Sequence, residues 1–151
     1  MPLILLAATT SVYANTGALI NSNSGKCMDD PGSSNGVKMI QWDCYGGSNQ
    51  DWYQGTSYSD GSVDLRNNTY NKCLDVPNWS TSNGTQLQIW SCTGGSNQRF
   101  YSQWSGGYLF RFKNVNSGKC VEVYNWSTSN GGIIDQWTCS DTLQYNQEWQ
   151  Y

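Results

Sequence analysis

Apolar residues along this chain fall in short clusters separated by polar loops. Three of them, Ala18-Leu19-Ile20, Val63-Asp64-Leu65 and Leu109-Phe110-Arg111-Phe112, open three similar units. Val63 and Leu65 flank Asp64 in the alternation of a half-buried strand. Each unit continues through a turn, Cys-x-Asp/Glu, a polar loop, x-Trp-x-Cys and Asn-Gln-x-Trp/Phe. The loops are rich in Asn, Gly and Ser, which is hairpin chemistry. The pattern predicts an all-β domain of short strands and polar turns.

Repetition of whole motifs supports the three units. Asn-Ser-Gly-Lys-Cys occurs at 23–27 and 116–120, with Asn-Lys-Cys at 71–73 between them. Asn-Trp-Ser-Thr-Ser-Asn-Gly occurs at 78–84 and 125–131, and Gly-Gly-Ser-Asn-Gln at 46–50 and 94–98. The repeats occupy approximately 15–55, 56–103 and 104–151. An internal period of this length marks an architecture assembled from supersecondary units.

Composition narrows the function. Asn, Gln, Ser, Thr and Gly make up nearly half of the 151 residues, and strong helix formers are scarce. The chain has no histidine, which excludes Ser-His-Asp and Cys-His catalysis and His-ligated zinc. Eight basic residues against eleven acidic ones, with no basic block, argue against nucleic acid as a partner. Aromatics make up 14% of the chain and include 8 Trp, too many for the core of so hydrophilic a protein. Some are expected at the surface for contact.

The six cysteines contain no Cys-x-x-Cys pair, so they read as disulfides of an oxidising compartment rather than as metal ligands. Equivalent repeats call for equivalent bridges, which gives Cys27–Cys44, Cys73–Cys92 and Cys120–Cys139. If each bridge joins directly opposed residues of a hairpin, Asp29 faces Trp42, Asp75 faces Trp90 and Glu122 faces Trp137. A carboxylate, an indole face and the nearby Asn-Gln amides suit a pyranose ring, with its apolar C–H face and its fan of hydroxyls. They suit phosphate poorly, because cations are missing.

Asn49-Gln50-Asp51-Trp52, Asn97-Gln98-Arg99-Phe100 and Asn146-Gln147-Glu148-Trp149 resemble the repeated Gln-x-Trp motif of the ricin B-chain-type lectins and carbohydrate-binding modules. Gly25-Lys26-Cys27-Met28-Asp29 and Lys72-Cys73-Leu74-Asp75-Val76 are similar to the Cys-Leu-Asp segment of that family. The resemblance covers about residues 17–151. It implies a β-trefoil of twelve strands, a six-stranded barrel capped by three hairpins, with up to three shallow sugar sites and no catalysis. It implies galactose- or xylan-type glycans as ligands. Carried over by position, it assigns Asp75, Gln88, Trp90, Asn97 and Gln98 to the most complete site. Asp29, Trp42, Asn49 and Gln50 form a second, in which Ile40 replaces Gln88. Glu122, Trp137, Asn146 and Gln147 form a third, in which Asp135 replaces the Gln and Glu the Asp. Trp52, Phe100 and Trp149 are expected in the core.

Trp79 and Trp126 lie in long loops without a counterpart in the first repeat, and serve either as loop anchors or as second sugar contacts. Asn67, Asn78, Asn83 and Asn125 head Asn-x-Ser/Thr sequons and are candidate glycosylation sites, though about three are expected by chance at this composition. Glycosidases need two distinct carboxylates facing one bond. Here the acids recur as equivalent triplets, so the reading is of a binding protein, with no cofactor and no metal. Residues 1–14 hold an apolar stretch, Leu3-Ile4-Leu5-Leu6-Ala7-Ala8, too short to span a membrane. It reads as a secretory-signal remnant or as an arm for self-association. The expected protein is a secreted lectin. The alternative is a structural subunit of an extracellular assembly that uses the trefoil as a building block.

Overall fold

In the computed structural model, which describes residues 17–151, the three apolar clusters become the first strands of three equivalent repeats. The first repeat contains β1 (Gly17–Ala18), β2 (Ile20–Asn21), β3 (Cys27–Asp29), β4 (Ile40–Trp42) and β5 (Asp51–Ser57). The second contains β6 (Val63–Asn67), β7 (Cys73–Asp75), β8 (Thr85–Gln86), β9 (Gln88–Trp90) and β10 (Arg99–Gly106). The third contains β11 (Leu109–Asn114), β12 (Cys120–Val123), β13 (Ile134–Trp137) and β14 (Trp149–Gln150). With β1 and β2 joined across Leu19, and β8 and β9 across Leu87, four strands serve each repeat. The expected apolar arm at residues 1–14 lies outside the described residues.

Antiparallel pairing runs from β1 through β5, β6, β10 and β11 to β14, which pairs with β2. Because β1 and β2 form one interrupted strand, the barrel closes on six strands and leaves no free edge around its circumference. The hairpins β3–β4, β7–β9 and β12–β13 cap one end. Inside, repeat-equivalent side chains meet around the pseudo-threefold axis. Leu19, Leu65 and Phe112 come from the first strands, Met28, Leu74 and Val121 from the second, and Met39, Leu87 and Ile134 from the third, all buried. Trp52, Phe100 and Trp149 are fully buried, as expected. The indole N–H of Trp52 donates to the Met28 carbonyl and that of Trp149 to the Val121 carbonyl, both at 3.1 Å. Phe100 offers no such donor.

All three disulfides join cysteines of one repeat, as the repetition predicts. A loop of this length contributes on the order of 3 kcal/mol through chain entropy. The hairpin register, however, differs from the expectation by two residues. Cys73 pairs with Trp90, Leu74 with Ile89 and Asp75 with Gln88. Likewise Asp29 opposes Ile40 and Glu122 opposes Asp135. The second cysteine of each pair lies beyond the ladder, so the bridge runs diagonally from strand to loop and does not mark opposed positions. Each acid therefore has the residue two before its Trp directly across from it, with the Trp as diagonal neighbour on the same face.

The repeats interlock through three buried asparagines, of which the sequence pointed to one, Asn67, and that as a candidate glycosylation site. Asn67, at the end of β6, donates from Nδ2 to the Asn49 carbonyl of the first repeat at 3.0 Å. Asn114 does the same to Asn97 at 3.1 Å, and Asn21 to Asn146 at 2.9 Å. Each holds the Asn-Gln turn of the preceding repeat in place.

Candidate functional site

The second repeat shows how a site is assembled. β7 presents Asp75 at the rim of the hairpin, β9 places Gln88 across from it, and the 3-10 turn Ser96–Gln98 folds back with Asn97 and Gln98. Gln88 Nε2 donates to Asp75 Oδ1 at 2.8 Å. Asn97 Nδ2 and Gln98 Nε2 donate to Oδ2 at 3.0 and 2.9 Å. An ionised carboxylate has about four acceptor positions, so these three bonds fix its plane and leave one free. Lys38, from the first repeat, donates to Gln88 Oε1 at 3.2 Å and so turns the Gln88 amide with its N–H towards the acid. Asn97 Oδ1 is buried without a protein partner. Trp90 is 41% exposed, so an indole surface remains open to a ligand. With Asn78, Trp79 and Thr93 these groups line a shallow cavity of about 380 Å³. The arrangement is an acceptor-rich polar floor beside a flat apolar wall.

Glycine is required at one point of this wall. A Cβ at Gly95 would lie 2.7 Å from Asn97 Oδ1 and 3.0 Å from Trp79 Cη2. Trp79 therefore packs on bare backbone. In the first repeat the ring of Tyr45 covers the equivalent Gly47, with its hydroxyl donating to Asn49 Oδ1 at 2.7 Å.

The other two clusters have the same plan with different chemistry. In the first repeat Gln50 Nε2 donates to Asp29 Oδ2 at 2.8 Å, but Ile40, across from Asp29, has no donor to give. Burial raises the Asp29 pKa. Asp30, absent from the sequence-based assignments, lines this cavity of about 400 Å³ with Tyr45 and Tyr70. It stands at the repeat position that Val76 and Val123 occupy, fully buried, with Oδ2 unpartnered. Burial, with the nearby Asp29 charge adding to it, pushes its pKa up to about 6. An acid in an apolar repeat slot was the signal available for finding it.

In the third repeat Gln147 Nε2 donates to Glu122 Oε2 at 2.8 Å, but an acid, Asp135, stands where Gln88 does. Both oxygens of Asp135 are buried and unpartnered. Burial first, and the Glu122 charge second, push its pKa up to about 8. Burial thus favours the neutral form of Asp135, and it raises the pKa of the facing Glu122 as well. Tyr124 takes the place of Pro77 and leans on Trp137, with ring centroids 6.3 Å apart, and the cavity shrinks to about 230 Å³.

Thus the structure brings together Asp29, Trp42, Asn49 and Gln50, then Asp75, Gln88, Trp90, Asn97 and Gln98, then Glu122, Trp137, Asn146 and Gln147. Within each set the Gln of the Asn-Gln pair is nearly or wholly inaccessible: Gln50, Gln98 and Gln147 support the acid from below. Among the sequon asparagines, Asn78, Asn83 and Asn125 are exposed. Asn67 is buried and its amide is engaged with Asn49, so the folded protein has no room for a glycan there. Among the described residues no group of three His, Cys, Asp or Glu could hold a metal ion, and no helix is long and apolar enough to cross a membrane.

A closed six-stranded barrel with three hairpin caps, each carrying an acid, an indole and an amide pair, defines a β-trefoil lectin domain. Residues 15–149 match the ricin-type β-trefoil lectin domain, and the chain belongs to that family. Its structure is similar to the designed three-fold symmetric protein ThreeFoil, with 34% identity and a TM-score of 0.83 over 88% of this chain and 94% of that one. It is also similar to an exo-β-1,3-galactanase from Clostridium thermocellum, with 31% identity and a TM-score of 0.83 over 89% of this chain but only 29% of the enzyme. The Rhizoctonia solani agglutinin shares the fold at 16% identity, with a TM-score of 0.80 over 95% of this chain and 97% of the agglutinin. No curated protein sequence matches the chain.

Proposed function

We propose that this domain binds glycans without acting on them, and that the cavity of the second repeat is its principal site. The observation that carries this reading is Asp75. Three amides orient its carboxylate, one acceptor position stays free, and an exposed indole lies beside it. Asp75 accepts a sugar hydroxyl, Trp90 stacks on the ring, and Gln88, Asn97 and Gln98 keep the acid in place. Asp29 with Trp42 and Asn49, and Glu122 with Trp137 and Asn146, form two related sites of altered preference. A galactose-type ligand is favoured, since the galactanase is among the similar structures at 31% identity. Three disulfides fit a secreted protein.

A shallow site of this kind binds at about 0.1–1 mM, or roughly 4–5.5 kcal/mol. Asp75→Ala removes the acceptor and leaves the barrel core untouched. Calorimetric titration with β-1,3-galactobiose is expected to lose the strongest of the binding events while the melting curve keeps its cooperative shape. Equal heats from the variant and the unaltered protein would overturn the assignment.

A further inference from the structure

Two sequence motifs recur together in this chain, and the structure shows that they meet across repeat boundaries. The loop Asn-Trp-Ser-Thr-Ser-Asn-Gly holds its first two residues in the left-handed region. Asn78 and Trp79 have φ of 55° and 54°, and Asn125 and Trp126 have 52° and 55°. This conformation is unfavourable for a bulky residue and persists only where surroundings over-determine it. Besides Gly95 of the same repeat, those surroundings come from the next repeat. Asn116 Nδ2 donates to the Trp79 carbonyl at 3.1 Å, and Ser117 Oγ donates to Gln136 Oε1 at 2.7 Å. Gln136 Nε2 then donates to the carbonyls of Ser80 and Ser82, both at 3.0 Å. The third-repeat loop has the same relay from the first repeat. Asn23 Nδ2 donates to the Trp126 carbonyl at 3.3 Å, and Ser24 Oγ to Gln41 Oε1 at 2.6 Å. Gln41 Nε2 donates to the carbonyls of Ser127 and Ser129 at 2.9 and 3.0 Å.

The remaining boundary is a control within the same molecule. The first-repeat loop, Pro31-Gly32-Ser33, has no Trp. The second repeat, which follows it, has Thr69, Tyr70 and Ile89 where the other two have Asn, Ser and Gln. Relay and loop indole are present together or absent together. Trp79 lines one cavity with Trp90, and Trp126 lines another with Trp137.

We propose that Asn116, Ser117 and Gln136 are positioning residues for the second-repeat cavity, and Asn23, Ser24 and Gln41 for the third. They hold a second indole beside the first, so that these cavities take a glycan of at least two linked rings, one ring to each indole. The ligand class rests on the sugar reading above, whereas the clamp itself does not.

The experiment uses protein labelled with 5-fluorotryptophan, its fluorine resonances assigned by single Trp→Phe changes. Gln136→Ile, which installs the residue of position 89, is expected to shift and broaden the Trp79 resonance and leave Trp126 unmoved. Gln41→Ile is expected to do the reverse. Asn116→Ala, which spares the buried glutamine, gives the same Trp79 effect in weaker form should Gln136→Ile fold poorly. In calorimetry with galactose, β-1,3-galactobiose, xylose and xylotriose, the Gln136→Ile and Asn116→Ala proteins lose about tenfold in affinity for the oligosaccharide they bind, while monosaccharide affinity holds. Unmoved Trp79 resonances in both variants overturn the clamp. A parallel fall for monosaccharide and oligosaccharide overturns the second-ring role. If the unaltered protein binds none of the four sugars while the fluorine shifts occur, the sugar reading fails and the clamp stands.

Discussion

The hairpins of the second and third repeats share a backbone plan and differ in what faces the acid. Across from Asp75 stands Gln88, a neutral donor that Lys38 orients from outside. Across from Glu122 stands Asp135, with no hydrogen-bond partner on either oxygen. A buried pair of facing carboxyl groups keeps a proton because both cannot ionise in so poorly hydrated a place. A carboxyl at position 135 in place of the amide at 88 therefore adds a titrating group to the site. In a repeat protein, the same fold position can be used as scaffold in one copy and as titrating group in another.

The largest effect is expected from moving that difference into the better site. Gln88→Asp replaces a donor to Asp75 with a second acid. Affinity for β-1,3-galactobiose is expected to fall more than about tenfold at pH 8 and to recover towards pH 5, where the introduced acid holds a proton and donates. A pH-independent loss would show that Gln88 acts through shape alone. The reverse change, Asp135→Asn, tests stability. The folded protein keeps the Asp135 proton up to about pH 8, whereas the unfolded chain releases it near the ordinary value of 3.8. Folding stability therefore declines as pH rises through that interval and levels above it. Melting curves should show the variant gaining on the unaltered protein from pH 4 to pH 8, by a few °C at the top, with no further gain beyond. The smallest effect concerns the core. Phe100 stands where Trp52 and Trp149 each donate to a backbone carbonyl. Phe100→Trp is expected to stabilise by at most about 1 kcal/mol in denaturant titration, the net worth of one such bond. A loss would mean that the second repeat has closed around the smaller ring.

The fold was legible because it is written three times. Spacing of equivalent cysteines, recurrence of the Asn-Gln pair and the position of Trp42, Trp90 and Trp137 identified the repeats, the bridges and the neighbourhood of each cluster. What stayed hidden depends on geometry that residue type does not carry. Cysteines 27 and 44 bond across a diagonal, so they could not report the register, and the direct pairing of Ile40 with Asp29 and of Gln88 with Asp75 is set by the folded hairpins. Gln50, Gln98 and Gln147 belong to the motif, but the sequence cannot say that they lie beneath the carboxylate. Asn21 and Asn114 were lost among the many asparagines of a polar chain, and Asn67 stood out only as a sequon. Tyr45 and Tyr70 reach the first cavity from positions that hold Thr93 and Ser140, and Ser24 and Ser117, in the other repeats.

The cross-boundary contacts give this domain an unusual arithmetic of deletion. Asn21, Asn67 and Asn114 each steady the repeat before them, and the pairing of β14 with β2 completes the circle between the chain's last strand and its first. Excising residues 104–151 would take away the third cavity, the support for Trp79 and the seal of the barrel in one cut. Two thirds of the chain cannot retain two thirds of the sites. Shortening is thus closed to this molecule as a route to simpler binding, while substitution at the facing positions remains open to each copy separately.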